Sequence, residues 1–134
     1  MHERPTWTVG KTALVVDDDK NISEFVCTAL TDELGMLVAT SSDGIDAIQR
    51  ATDLKPDLMV VDIRLPGIDG LEVARRLGAY PATAGIPILA VSANARHAPA
   101  IEAGCREFLA KPFDLAEFVN TVARMLRPAD DPPA

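Results

Sequence analysis

Apolar runs rich in Val, Ile and Leu alternate five times with segments whose apolar residues recur three or four positions apart. Strands of a covered parallel sheet are buried on both faces and read as unbroken apolar runs, while the helices covering them show apolar residues at helical spacing. The pattern predicts five β-α units: an α/β chain with a parallel sheet and helices on both faces. The strands fall at Thr12 to Asp17, Leu37 to Thr40, Leu58 to Asp62, Pro87 to Ser92 and Glu107 to Ala110.

Helix boundaries follow from capping chemistry. In the first helix Ile22, Phe25, Val26, Ala29 and Leu30 share a face, and Gly35 suits a left-handed C-cap. Ser42-Asp43 opens the second helix, over Ile45, Ile48 and Ala51. Asp69-Gly70 opens the third, which buries Leu71, Ala74 and Leu77 and stops at Gly78. Between Ser92 and Gly104 there is room only for a short fourth helix, with Pro99 tolerated in its first turn. Asp114, three residues before Glu117, starts a last helix that buries Leu115, Phe118, Val119, Val122 and Leu126 and runs to about Arg127.

The 134 residues fit one domain, spanning 11–127, between a flexible extension at 1–10 and a proline-rich tail or linker start at 128–134. Trp7 lies in that extension and is given no role. The net charge of −7 has no basic stripe within it, which argues against direct nucleic-acid binding and favours cations or cationic protein surfaces. Cys27 and Cys105 have no metal or redox spacing and read as reduced packing residues. With no signal peptide and no stretch of membrane-spanning length, a cytoplasmic protein without membrane contact is expected.

Charge placement then locates the chemistry. Asp17, Asp18 and Asp19 follow Leu14-Val15-Val16, Asp62 ends Leu58-Met59-Val60-Val61, and Lys111 follows Phe108-Leu109-Ala110. In an open α/β sheet the carboxyl ends of the strands line one crevice, so these charges converge. Neighbouring carboxylates repel unless a cation neutralises them or their pKa values rise. Magnesium, with its preference for oxygen ligands and phosphate, is the natural counter-ion, and manganese is an alternative. Lys111 supplies a fixed positive charge and Ser92 a hydroxyl donor, which together describe a phosphoryl site. An aspartate can itself attack phosphorus; spacing does not say which one.

The motifs Val-Val-Asp-Asp-Asp, Val-Val-Asp62-Ile-Arg-Leu-Pro-Gly-Ile-Asp-Gly70, Val-Ser92-Ala and Lys111-Pro112-Phe113 stand in order, each at a strand end. In that combination the chain resembles the receiver domain of two-component response regulators, from about Thr12 to Arg127. The resemblance implies a flavodoxin-like doubly wound sheet of strand order 2-1-3-4-5. It implies that Asp62 accepts a phosphoryl group from a histidine of a sensor kinase or phosphotransfer domain. It further implies that Asp17, Asp18, Asp62 and the backbone carbonyl of Arg64 hold magnesium, that Lys111 binds a phosphoryl oxygen, and that Ser92 moves toward the phosphate. Pro112 would hold the next loop through a cis bond, and Phe108 would be the switch aromatic. The side chains of Arg64 and Asn94 would modulate the phosphate's lifetime. A downstream protein effector would read a domain that is monomeric or weakly dimeric, either stand-alone or part of a larger protein.

Plainer readings hold for several residues. Asp19 fits a helix start better than a third ligand, and Asp69 fits an N-cap. Phe108 can serve as an ordinary core aromatic, and His97 as a surface histidine. Two rival functions are a degenerate receiver acting as a binding module and a haloacid-dehalogenase-like phosphatase. The first clashes with the intact acidic residues and lysine. The second would need a hydroxyl or valine where Asn21 stands, and a substrate cap for which the chain lacks length. Because the fourth helix is short, partners are expected to rely on the first and last helices.

Overall fold

Each of the five apolar runs becomes a strand. The computed structural model describes residues 5–93 and 97–129. The strands are β1 (Thr12–Val16), β2 (Leu37–Ser41), β3 (Leu58–Asp62), β4 (Ile88–Ser92) and β5 (Glu107–Ala110). They form a parallel sheet of order β2-β1-β3-β4-β5, as the resemblance implied. The helices are α1 (Lys20–Thr28), α2 (Gly44–Leu54), α3 (Gly70–Gly78), α4 (His97–Glu102) and α5 (Leu115–Leu126).

Alternation along the strands divides the core in two. Leu14, Val16, Met59, Val61, Ile88 and Ala90 face Ala47 and Ala51 of α2, Val73 and Leu77 of α3, and Ala100 of α4. Ala13, Val15, Leu58, Val60, Leu89 and Val91 face Val26 of α1 together with Phe118 and Val122 of α5. Apolar residues on both faces of the sheet require helices on both sides, and the parallel direction of all five strands brings their carboxyl ends to one open edge.

Caps agree with the sequence reading. Asp43, Asp69 and Asp114 accept the amides of Asp46, Glu72 and Glu117, and Asp19 accepts those of Asn21 and Ile22. The short α4 spans six residues and carries Pro99 at its third position, where a missing N–H costs no helical bond.

Three expectations change. Leu115, expected to be buried by the last helix, lies in its first turn and is exposed. The first helix does not run evenly to its glycine: a π-helical turn at Ala29–Glu33 follows α1 before Gly35 takes a positive φ of 66°. Residues 5–10, expected as a flexible extension, fold onto the body instead. The Trp7 indole donates to the Ala123 carbonyl at 2.8 Å, and the Arg127 guanidinium lies 5.7 Å from the ring centroid. Thr8 is buried, its hydroxyl donating to the Leu34 carbonyl at 2.8 Å, and the Gly10 amide donates to Gly35 at 2.9 Å.

Candidate phosphoryl site

The open edge of the sheet gathers the charges far apart in sequence. Asp17 leaves the end of β1 with its amide bonded to the Ser41 carbonyl at 3.1 Å, and Asp62 is the last residue of β3, paired in register with Val91. Lys111 follows β5, tied by its amide to the Ser92 carbonyl at 2.8 Å. Register between neighbouring strands thus fixes where three side chains meet.

Oxygen atoms of Asp17, Asp18 and Asp62 all lie within 4.8 Å of one another. Asp17 and Asp62 are buried, each 6 % exposed, while Asp18 is open to solvent. The Lys111 ammonium spans the buried pair, 3.1 Å from Oδ2 of Asp62 and 3.4 Å from Oδ2 of Asp17. The opposite oxygens are held by backbone: Asp62 Oδ1 accepts the Arg64 amide at 3.1 Å, and Asp17 Oδ1 accepts the Asp19 amide at 2.9 Å. Each carboxylate is therefore oriented from two sides.

Electrostatics leave room for another cation. Burial pushes the Asp17 carboxyl above its ordinary value, and the charge of Asp62 adds to the rise; the Asp19 amide and Lys111 oppose it. Among the described residues, one ammonium pairs with two of the three carboxylates and leaves negative charge unneutralised. The donors are all hard oxygens, two of them pre-oriented, and this set suits a small divalent ion such as magnesium.

Asp18, Asp62 and Lys111 border an open cleft of about 930 Å³, lined also by Arg64, Leu65, Pro66, Asp69 and Ala93. Ser92 is fully buried at the end of β4. Phe108 is half-buried against the core layer of α2, α3 and α4. The Lys111–Pro112 peptide is cis, as expected. Phe113 anchors this loop, its ring 5.7 Å from that of Phe118 on α5 and 6.2 Å from that of Phe25 on α1. Asn94 lies outside the described residues. Asp19 and Asp69 are helix caps, although both also border the cleft.

A polar network beside the site went unread in the sequence. The buried Ser41 hydroxyl donates to Asp46 Oδ2 at 2.7 Å, and Arg50 reaches the same oxygen at 2.8 Å. These bonds hold the Asp46 carboxyl below its ordinary range, the serine contributing first. The spacing of Asp46 and Arg50 was a usable helical signal; the serine's contribution depended on where β2 ended.

Residues 13–123 match the response regulator receiver domain family. The chain belongs to that family. The response regulator MtrA of Mycobacterium tuberculosis (strain H37Rv), described as DNA-binding, is 35% identical over 130 residues, covering 95% of this chain and 55% of that protein. RpaA of Synechocystis, a DNA-binding dual master transcriptional regulator, is 37% identical over 120 residues, covering 87% of this chain and 49% of RpaA. The receiver thus spans about half the length of these relatives. Among solved structures, a response regulator from Chloroflexus aurantiacus superposes with a TM-score of 0.83 at 33% identity, over 87% of this chain and 98% of that one. The receiver domain of the sensor histidine kinase PA1611 from Pseudomonas aeruginosa, with magnesium coordinated in its active-site cleft, gives 0.76 at 32%, over 88% and 98%. Among the described residues of the present receiver, no helix is long and apolar enough to cross a membrane.

Proposed function

We propose that this receiver is a phosphorylation switch in which Asp62 accepts a phosphoryl group from a phosphohistidine of a sensor kinase or phosphotransfer domain. A single arrangement carries the reading: three carboxylates within 4.8 Å at adjoining strand ends, with Lys111 bridging the buried two. An oxygen of Asp62 attacks phosphorus, the phosphorus–nitrogen bond breaks, and the imidazole leaves with the bond's electron pair. Asp17, Asp18, Asp62 and the carbonyl of Arg64 would hold magnesium, which when bound neutralises charge on the phosphoryl oxygens. The magnesium in the Pseudomonas receiver supports this assignment. Lys111 holds a phosphoryl oxygen, and the buried hydroxyl of Ser92 turns toward the phosphate. Phe108 follows by repacking within its core layer, while Arg64 and Asn94 set how fast water removes the phosphate.

The domain in this reading is a switch with slow self-dephosphorylation, working in the cytoplasm as a monomer or weak dimer and read by a protein effector. DNA binding, named for relatives of which this chain covers about half, is not assigned to these residues, whose charge is −7. Labelling with acetyl phosphate, with and without magnesium, beside Asp62→Asn tests the reading. Magnesium-dependent label is expected on the wild type and none on the variant. Label retained by Asp62→Asn overturns the acceptor, and continuous turnover of a small phosphate ester would instead establish a phosphatase.

A further inference from the structure

Gly70, the first residue of α3, meets the backbone of the acceptor segment with no side chain between them. A Cβ placed there would stand 2.5 Å from the Asp62 carbonyl oxygen, 2.8 Å from the Ile63 Cα and 3.1 Å from the Asp62 carbonyl carbon. All three obstacles are main chain, which cannot rotate aside as the end of a side chain can. Gly70 is not among the residues with positive φ, so its dihedral angle does not demand glycine. Space does. At the other end of the same helix a Cβ on Gly78 would meet nothing within 4 Å.

The contact is bonded as well as close, because the Gly70 amide donates to the Ile63 carbonyl at 2.8 Å. Ile63 is 2 % exposed and lies between Asp62, which enters the carboxylate cluster, and Arg64, whose amide holds Asp62 Oδ1. Asp69 fixes the start of α3 by accepting the Glu72 amide at 2.9 Å. The helix therefore begins on the peptide that carries the reactive aspartate.

We propose that Gly70 is a positioning residue for the phosphoryl site: the bare approach of α3 holds the 62–64 backbone where Asp62 meets Asp17 and Asp18. This rests on reading the three carboxylates as a magnesium site and Asp62 as the acceptor. Any side chain at Gly70 must either lift α3 or drive the 62–63 main chain toward the cleft. Magnesium demands near-ideal oxygen geometry, so a displacement of a few tenths of an ångström weakens its binding.

Gly70→Ala tests this against Val122→Ala, which removes core volume in the opposite layer and so lowers stability without touching the 62–64 backbone. Magnesium affinity by calorimetry, amide chemical shifts of the metal-free protein and acetyl phosphate labelling are compared between the two. In Gly70→Ala the dissociation constant for magnesium should rise roughly tenfold or more beyond that of Val122→Ala, as for loss of a support behind a metal ligand. The Ile63 and Arg64 amides should shift without metal, and labelling should slow. Affinity within about twofold of the Val122→Ala protein, with those amides unmoved, overturns the proposal.

Should Gly70→Ala fail to fold, the wild type decides. Coupling is reciprocal, so magnesium must slow hydrogen exchange at the Gly70 amide, and unchanged exchange overturns the proposal. A wild type that binds magnesium yet takes no phosphate at Asp62 overturns the acceptor reading alone. The affinity comparison then still judges Gly70.

Discussion

Lys111 lies 3.1 Å from Asp62, across 49 residues of sequence, and the bond neutralises a carboxylate that the end of β3 buries. Replacing Lys111 with methionine leaves Asp17 and Asp62 facing each other uncompensated. The metal-free protein should lose about 2 kcal/mol, the scale of a hydrogen bond to a charged group. Magnesium affinity should rise, because a competing cation has gone, while acetyl phosphate labelling falls. Urea unfolding in EDTA, calorimetry and labelling check the three directions. Weaker magnesium binding in Lys111→Met would contradict the electrostatic account.

The raised Asp17 carboxyl gives metal-free stability a definite sign with pH. Its folded form holds a proton more tightly than the unfolded chain, whose ordinary value is 3.8. Stability therefore falls as pH rises from 3.8 through the raised folded value, then stays level above it. Urea midpoints in EDTA should show this fall, and Asp17→Asn should flatten it. Magnesium stabilises most where Asp17 is ionised, so the gain on adding it should shrink as pH drops.

Trp7 ties the amino-terminal segment to α5, and its loss has a separable cost. Trp7→Ala strands the Ala123 carbonyl and removes the ring beneath Arg127. A loss of about 1–2 kcal/mol is expected from an unpaired, partly buried acceptor. Magnesium affinity should be unchanged, since these contacts lie at the amino end of β1, away from the carboxylates. Thermal unfolding and calorimetry together separate the two effects.

Cys105 is buried, and burial pushes its thiol up to about 11. The thiolate is the reactive form, so disulfide reagents at neutral pH should spare Cys105 until the protein unfolds. Ionisation favours the unfolded chain, whose thiol titrates near 9.0. Stability is thus expected to decline between pH 9.0 and about 11, and Cys105→Ala should remove that part of the decline.

The strands and caps were legible because each rests on local chemistry: unbroken apolar runs for a doubly covered sheet, and aspartate before an apolar-periodic segment for a cap. The convergence of Asp17, Asp62 and Lys111 was legible because strand ends of a parallel sheet share an edge. Trp7 was not, since its partner is a carbonyl 116 residues away and a lone aromatic shows no period. The π-helical turn at Ala29–Glu33 also escaped, because one extra residue in a helix barely alters the apolar spacing. Asp69-Gly70 was read as a helix start, and that is correct. The glycine's other demand, contact with the Asp62 main chain, depended on which strand the helix would touch.

The meeting of Trp7 with Arg127 closes the folded body into a ring whose seam lies at the amino ends of the strands, the pole opposite Asp62. A circular permutant in which a short linker joins the residues beside Trp7 and Arg127, with new termini in an exposed loop, should keep every strand pairing and both core layers. The order in which the five β-α units are synthesised is then free to change while the cleft stays the same. Cargo joined next to Trp7 or Arg127 is likewise attached on the side opposite the carboxylate cleft.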